Sequence, residues 1–265
     1  MNPDSHRLVL IDAAVIVSIS IAIFLASNKL IFMTILVPSI IMCRMVVLAM
    51  VAREEGVSMR AEVLFLALCT VLGAYNDWNS VCNKKIYEYT VPHFFRFSSI
   101  PVWMLIYWGM ILRFIARLAR WSALGPERQV SNVIGINGLR IDSPYTRIAA
   151  EVGIIAATRQ AIYRFYLDPF LSWLPFFIAL VVFFLFFDPR RHDLKLLCIA
   201  FMAGPAVEIL YIKVGHLHHY YLGWIGGVPL WIVLWWLLAI LIWKDLAFRI
   251  EKRMRAILSI GPLSE

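Results

Sequence analysis

The chain reads Ile100-Pro-Val-Trp-Met-Leu-Ile-Tyr-Trp108 in one segment and Val228-Pro-Leu-Trp-Ile-Val-Leu-Trp-Trp236 in another. In both segments a proline is followed by a tryptophan two residues later, and a second tryptophan closes the segment. An apolar run that starts at a proline is typical of the beginning of a helix. The two segments therefore predict an internal duplication built from helices.

The similarity extends upstream to an acidic residue and an aromatic loop. Asp77 is followed eleven residues later by Glu88, and Glu208 is followed at the same spacing by His219; a tyrosine comes next in both cases. Each half is thus predicted to contain an acidic residue that ends a helix, a polar aromatic loop and a Pro-x-Trp that opens the next helix. The predicted halves are residues 1–119 and 139–247.

The composition of the chain predicts a membrane protein. Apolar residues make up 62% of the 265 residues, charged residues make up 16%, and the mean hydropathy is +0.77. Soluble domains are about 45–50% apolar and about 25% charged. A soluble enzyme, a disulfide scaffold, a disordered chain and a nucleic-acid module are thereby excluded. We expect one integral membrane domain over residues 1–265, with an all-α, polytopic helical bundle.

The apolar runs predict seven or eight membrane spans. Seven runs are evident, at 8–26, 30–51, 61–75, 100–115, 170–187, 194–211 and 228–243. The segment 120–167 is ambiguous, because it contains Glu151 between Arg147 and Arg159. With seven spans the basic loop residues divide evenly between the two sides, whereas eight spans concentrate them on one side. The positive-inside rule therefore favours eight spans, as two tandem four-helix halves with both termini cytoplasmic.

The basic residues are expected to contact the membrane surface. The formal net charge is +8, and basic cytoplasmic loops set topology and bind anionic lipid. The segment 244–258 is basic and carries an apolar residue every fourth position from Leu246 to Leu258, which is typical of an amphipathic surface helix. We expect anionic lipid, and no nucleic acid, as the partner of the loops and of this tail. The membrane is expected to be the cytoplasmic (inner) membrane.

Ionisable residues in apolar segments indicate function. Asp12 and Arg44 are expected to pair with each other across the first two helices. Asp77 and Glu208 are the candidate catalytic residues, because a carboxyl group among aromatic and amide groups can keep a proton and act as an acid. Eight spans would place these two acids at one membrane face, and seven spans would place them at opposite faces. A structural role at helix ends is the alternative for both.

Aromatic side chains near the two acids predict a pocket that stabilises a cation. Aromatic faces attract cations, and protonation of an alkene creates a carbocation that such faces would surround. Aromatic belts at membrane interfaces are the alternative interpretation. The candidate substrate-binding residues are Trp78, Tyr87, Tyr89, Trp103, Trp108, Tyr211, His219, Tyr220 and Trp231.

No cofactor or metal is expected. The segment His216-Leu-His218-His219 first suggests a metal site, but such sites need further histidines or carboxylates at fixed geometry. One or two of these histidines are instead expected to pair with Glu208 or to line an interfacial opening. Dinucleotide, phosphate-loop, metalloprotease and serine-hydrolase motifs do not occur, and neither do the Asp-rich motifs that hold diphosphate in membrane prenyltransferases.

Three short motifs resemble the integral-membrane carotenoid biosynthesis family, which includes carotenoid 1,2-hydratases. They are Asn76-Asp77-Trp78, Tyr87-Glu-Tyr89-Thr90 and the Pro-led helix that begins near Pro101. The resemblance implies a polytopic protein that acts on long isoprenoid chains without a soluble cofactor. Asp77, Tyr87, Tyr89 and Pro101 fall on the family pattern. The loop departs from it, because residues 82–85 stand where the family has glycines, and the acid is Asp rather than Glu. Membrane-bound terpene cyclases are a second family of this kind, since they too are small polytopic proteins that use paired acids to protonate an alkene or epoxide.

These observations lead to one expected function and two alternatives. The expected function is an enzyme that protonates a double bond of a membrane isoprenoid and directs hydration, cyclisation or isomerisation, with Asp77 as the proton donor and Glu208 as the partner acid or base. The first alternative is a proton-coupled transporter or carrier, since parallel repeats with paired acids suit alternating access. The second is a non-catalytic membrane partner protein that docks through its basic tail.

Overall fold

The computed structural model describes residues 6–94, 98–124, 132–136, 139–187, 189 and 191–259. Within this part, the chain forms eight α-helices and four short β-strands. The helices are α1 (His6–Ala26), α2 (Leu30–Val51), α3 (Met59–Trp78), α4 (Val102–Leu118), α5 (Pro144–Phe165), α6 (Leu174–Phe186), α7 (Arg191–Lys213) and α8 (Leu230–Ser259). The strands are β1 (Tyr87–Tyr89), β2 (Val133–Ile136), β3 (Leu139–Asp142) and β4 (His218–Tyr220). Parts of the two predicted halves, at residues 1–5, 95–97, 188 and 190, lie outside the described residues.

The all-α prediction is confirmed. Among the described helices, α1, α2, α3, α7 and α8 are long and apolar enough to cross a membrane, while α6 is apolar but shorter. Spanning a bilayer core needs about 20 apolar residues in a helix. Several apolar helices of this length fit an integral membrane protein. The number of spans stays a prediction.

The helices α3 and α4 pack closely because glycines on both helices leave room for the opposite side chains. A Cβ atom added at Gly73 would lie 2.7 Å from Cβ of Trp108, and one at Gly109 would lie 2.0 Å from Oγ1 of Thr70. The looser counterpart between α7 and α8 is Gly204, where an added Cβ would be 3.6 Å from Cγ of Trp236. Small residues bring helix backbones together where burial from water cannot drive packing.

The loops that follow α3 and α7 pair with each other at one end of the bundle. Strand β1 runs antiparallel to β4, with Glu88 opposite His219, and with the tyrosines Tyr87 and Tyr89 opposite Tyr220 and His218 respectively. We call this pair of strands the ribbon. Glu88 and His219 occupy equivalent positions in the sequence repeat. A local two-fold axis through this pair would exchange the two strands and produce the observed register.

A network of buried ion pairs joins the helices α1 to α4 to one another. Nε of Arg44 lies 2.8 Å from Oδ1 of Asp12, which confirms the predicted pair. The network is wider than predicted, because Arg117 lies 2.9 Å from Asp12, and Glu62 accepts from Arg113 at 2.7 Å. A buried charge is tolerated only when it is paired and hydrogen-bonded, so these side chains hold the four helices in one arrangement.

Three charged side chains of α5 are buried in the bundle, namely Arg147, Glu151 and Arg159. Arg147 pairs with Glu151 at 3.0 Å and with Asp245 of α8 at 2.6 Å. Arg159 donates to Oδ1 of Asn76 at 2.6 Å, and its guanidinium lies 4.8 Å from the ring centre of Trp235. The residues that made this segment ambiguous in sequence therefore have polar or aromatic partners within the protein.

The basic segment 244–258 continues α8 without a break. Lys244 pairs with Asp193 at 3.2 Å, and Glu251 accepts from Arg120 at 2.6 Å. Ala247 is buried, whereas Lys252 and Arg253 are exposed. One side of the segment therefore packs against the bundle, and the other side presents basic residues to the surroundings.

Candidate functional site

The ribbon has an inner and an outer face. Tyr87 and Tyr89 are buried on one side of β1, whereas Glu88 between them is exposed. His218 and Tyr220 are likewise the buried positions of β4. Alternate residues of a strand point to opposite faces, and the antiparallel register brings the two buried pairs together. The inner face of the ribbon is therefore a cluster of three phenols and one imidazole.

Asp77 lies in the last turn of α3 and is fully buried against this inner face. The hydroxyl of Tyr87 donates a hydrogen bond to Oδ1 of Asp77, and the hydroxyl of Tyr89 donates to Oδ2 over 2.8 Å. A π-helical turn at Asn79–Asn83 follows the acid. Such turns are frequent at functional sites, and this one carries the chain from α3 to β1 so that both phenols reach the carboxyl group.

Glu208 has a corresponding set of partners in the second half. Its Oε2 lies 3.0 Å from Nε2 of His218, and its Oε1 accepts a hydrogen bond of 3.4 Å from the indole of Trp236. Burial and this carboxyl group both raise the pKa of the neighbouring Tyr220 phenol. Each acid therefore interacts with the ribbon residues ten and twelve positions later in the chain.

The surroundings of Asp77 and those of Glu208 meet at a pair of indole rings. Trp108 and Trp236 stack with ring centres 6.0 Å apart and an angle of 22° between their planes. The sequence repeat equates these two residues. The aromatic cluster between the acids is therefore continuous from one half to the other.

The phenols of the ribbon lie outside the helices and stay protonated. Burial raises the pKa of Tyr87 and of Tyr89 well above the ordinary value, and the neighbouring Asp77 carboxyl group raises it further. Burial and then Glu208 raise the pKa of Tyr220 in the same way. A protonated phenol can donate to a carboxylate, so the ribbon supplies hydrogen-bond donors to both acids.

A cavity of about 340 Å³ extends from the ribbon between α4 and α7. Ligand pockets typically range from about 300 to 1,000 Å³. Its polar lining is concentrated near the ribbon, and the rest of its wall is aliphatic or aromatic. The residues that line it include Tyr87, Tyr89, Tyr107, Trp108, Ile111, Ile115, Leu118, Trp121, Leu196, Ala200, Ala203, Gly204, Val207, Glu208, Tyr211, His218, Tyr220 and Trp236.

The structure brings most of the predicted site residues together. They line the cavity, lie behind its phenols or pack against one of its lining residues. Glu208, Tyr87, Tyr89, Trp108, Tyr211 and Tyr220 line the cavity. Asp77 lies behind the phenols of Tyr87 and Tyr89 and is not among the lining residues. Trp231 packs on Tyr220 with ring centres 5.5 Å apart.

The other three predicted residues lie away from the two acids or on the outside. Trp103 is fully buried in the core of the bundle. Trp78 is 46% exposed. His219 is on the outer face of the ribbon, where its Nε2 lies 3.4 Å from Oε1 of Glu88.

Sequence reasoning missed two polar groups of the site and did not single out the histidine that faces it. A histidine was expected to pair with Glu208, which is confirmed, but the partner is His218 and not the candidate His219. The alternation along β4 is the signal that separates them, since His218 shares a face with Tyr220. Tyr107 was also missed; its hydroxyl lies 2.9 Å from that of Tyr211, and Ser20 completes the cluster at 2.8 Å from Tyr211.

The arrangement can move protons next to an apolar ligand. Two carboxyl groups, three phenols and one imidazole are close together, and aromatic rings surround them. In the part of the chain that the structure describes, no group of three His, Cys, Asp or Glu side chains is arranged to hold a metal ion.

The fold and the site define a helical membrane-type bundle with a buried pair of acids on an aromatic ribbon. No protein-family model, no curated protein and no solved structure matches this chain.

Proposed function

We propose that this protein is an integral membrane enzyme that protonates a double bond of a long isoprenoid-like lipid. One observation carries the proposal: two buried acids contact one aromatic ribbon at the polar end of an apolar cavity, where Asp77 accepts hydrogen bonds from Tyr87 and Tyr89 and Glu208 lies 3.0 Å from His218. Acids supply the proton for such a reaction, and aromatic faces stabilise the resulting carbocation.

In the first step, a proton moves from the Asp77 unit to one carbon of the double bond. The π electrons form the new C–H bond, and the other carbon becomes a cation. Because Tyr87 and Tyr89 stand between Asp77 and the cavity, one phenol turns its hydroxyl proton from Asp77 towards the ligand, passes that proton on, and accepts the proton that Asp77 carries. The other phenol then donates to the carboxylate that remains.

In the second step, Glu208 and His218 act as the base that removes a proton, and the positive charge on the ligand is lost. Loss of a neighbouring C–H proton to His218 or Glu208 restores a double bond and yields an isomer or a cyclic product. Attack by water, with loss of its proton to the same pair, yields an alcohol. In either outcome the proton count is balanced when the proton returns from this pair to Asp77 across the ribbon.

The resemblance to the carotenoid biosynthesis family is supported by contacts between its motif residues. Asp77 accepts hydrogen bonds from Tyr87 and Tyr89, so that three positions of the pattern form one unit. We propose a distant relationship to that family on this basis. Hydration, cyclisation and isomerisation are all compatible with the unit.

We also propose eight spans, in two parallel four-helix halves. The pairing of β1 with β4 supports this count, because the two loops then lie on one side and an even number of crossings separates them. The pairing of Arg147 with Glu151 and Asp245 inside the bundle supports a span there. Both termini would be cytoplasmic in the inner membrane, and the exposed basic side of residues 244–258 would contact anionic lipid.

The test of the proposed function is deuterium transfer from solvent to lipid. The purified protein in lipid nanodiscs is incubated in deuterated water with acyclic isoprenoid polyenes of graded length, and the lipids are analysed by mass spectrometry. We expect one deuterium on carbon in the product, and a loss of about 10²–10⁴-fold in rate in Asp77→Asn.

Asp142→Asn is the matched control for that variant, since Asp142 is an exposed aspartate of β3 outside the site. A folded Asp77→Asn protein that transfers deuterium at the wild-type rate would overturn the role of Asp77. No transfer with any polyene by the wild-type protein would count against the enzyme.

A proton-coupled carrier is the second candidate, because two similar arrangements of acids meet at one cavity. This carrier would move its solute across vesicles in response to a proton gradient, without deuterium transfer to carbon. Solute flux that depends on the gradient and stops in Glu208→Gln would favour this candidate over the enzyme.

A further inference from the structure

We propose that the cavity holds a single lipid chain lengthwise between α4 and α7, entered sideways from the bilayer, and that small side chains of α7 determine how long a chain fits. This inference rests on the proposed function only for the identity of the reacting end, which would lie at the ribbon. The chain itself is recognised by the shape and the polarity of the cavity.

The cavity follows one face of each helix over most of its length. On α7 its lining residues recur every three or four positions from Leu196 through Ala200 and Gly204 to Tyr211. At about 1.5 Å per residue, this face is about 22 Å long. A cavity of this length fits an extended chain better than a compact ring system.

The opposite wall is one face of α4. Trp108, Ile111, Ile115 and Leu118 line it at helical spacing, and Trp121 lies beyond the helix at the far end. The two faces confront each other across the cavity. The lining side chains far from the ribbon are all apolar, so this portion can bind only a hydrocarbon tail favourably.

The polar groups lie at the opposite end of the cavity. Glu208, His218 and the ribbon phenols are there, and the hydroxyls of Tyr107 and Tyr211 are nearby. A ligand with one polar or reactive end and a long apolar remainder matches this gradient. The orientation follows directly, with the reactive end at the ribbon and the tail towards Trp121.

The cavity opens through the side of the bundle next to Glu208. Ala203 and Val207 line it, yet Ala203 is exposed and Val207 is 36% exposed. Their neighbours Met202 and Leu210 are exposed apolar residues of the same helix. An opening framed by exposed apolar side chains in a membrane-spanning helix faces lipid, so a chain can enter without passing through water.

Small residues on α7 provide the width. Ala200, Ala203 and Gly204 face the larger side chains of α4 across the cavity. Because each added side-chain group there takes up space, a phenylalanine at one of these positions would shorten or block the tail portion. We therefore identify Ala200 and Ala203 as the residues that determine chain length.

The experiment uses a saturated long-chain isoprenoid alcohol with a diazirine at its tail end, added to the full-length protein in nanodiscs. After irradiation, mass spectrometry locates the label. We expect it at Leu118, Trp121 and Leu196, and we expect a short homologue to label Ile111 and Ile115 instead. Uniform labelling of outward-facing residues such as Met202 and Leu210, whatever the chain length, would overturn the proposal.

The variants are Ala203→Phe and Ala200→Phe, with Ala206→Phe as the control. Ala206 is on the same helix, is exposed and is not among the lining residues. Labelling of the far end by the long probe should fall at least about tenfold in Ala203→Phe and stay unchanged in the control. Ala200 is buried, so Ala203 keeps the test decisive if Ala200→Phe fails to fold.

The probe has no double bond, so its binding is independent of turnover. Position-specific labelling without any deuterium transfer would support the chain-binding cavity and contradict the enzyme. Deuterium transfer with no end-specific labelling would support the enzyme and contradict the chain-binding cavity. Wild-type labelling in Ala203→Phe contradicts the assignment of chain length to α7.

Discussion

The two acid-bearing regions of the molecule share a plan and differ in one partner. Asp77 accepts hydrogen bonds from two phenols, Tyr87 and Tyr89, whereas Glu208 lies beside His218 and Tyr220. A neutral imidazole both donates and accepts a proton, while a phenol with a raised pKa remains a donor. Under the proposed function, this difference would let the two regions take opposite tasks, one giving a proton and the other receiving it.

The largest expected effect is the loss of the receiving group. Glu208→Gln keeps the shape of the side chain but removes its charge, so turnover should fall by about 10²–10⁴-fold. The deuterium assay measures this, and the fold is checked by the thermal unfolding midpoint in nanodiscs. If the folded variant turns over as fast as the wild type, the two regions do not act as donor and acceptor.

The substitution His218→Tyr removes the difference between the two regions, because it replaces the imidazole beside Glu208 with a phenol. This variant gives Glu208 a phenol at the position that Tyr87 occupies beside Asp77, so that both regions only donate. We expect turnover to fall by about 10²-fold, the lower end of the range for a general base. His219→Tyr on the outer face is the control, and equal effects of both substitutions would contradict the special role of the inner histidine.

The helix pairs that carry the acids should also respond differently to the same substitution. Gly73→Ala places a methyl group 2.7 Å from Cβ of Trp108, whereas Gly204→Ala makes an ordinary contact of 3.6 Å with Trp236. We expect Gly73→Ala to lower the free energy of unfolding by about 1–3 kcal/mol, and Gly204→Ala to leave it within about 0.5 kcal/mol. Reversible unfolding in mixed micelles measures both. A smaller loss for Gly73→Ala than for Gly204→Ala would show that the tighter packing lies elsewhere.

The smallest effect is expected at the centre of the ribbon. The side chains of Glu88 and His219 are about half exposed and 3.4 Å apart, and exposed ion pairs contribute about 0–1 kcal/mol. Glu88→Gln should therefore change neither turnover nor the unfolding midpoint appreciably. A large loss of activity in this variant would indicate that the reacting groups lie on the outer face of the ribbon.

Much of this architecture can be predicted from the residues alone. The apolar composition predicts an all-α membrane bundle, because so much apolar surface cannot be buried in a chain of 265 residues surrounded by water. The repeated Pro-x-Trp segments and the spacing from acid to loop predict equivalent positions for Asp77 and Glu208. The pairing of Asp12 with Arg44 follows from the cost of leaving either charge alone in an apolar helix.

Other features were decided only by the tertiary structure, because they depend on which strands pair and which helix faces meet. The register of the ribbon turns His218 inward and His219 outward, although the two histidines are adjacent in the chain. It also places Asp77 behind the phenols while Glu208 faces the cavity. Arg147 and Arg159 of α5 lie in an apolar segment of the sequence, yet Arg159 donates a hydrogen bond to α3 and Arg147 forms an ion pair with α8. Local sequence records the residues, but long-range contacts determine their partners and therefore their chemistry.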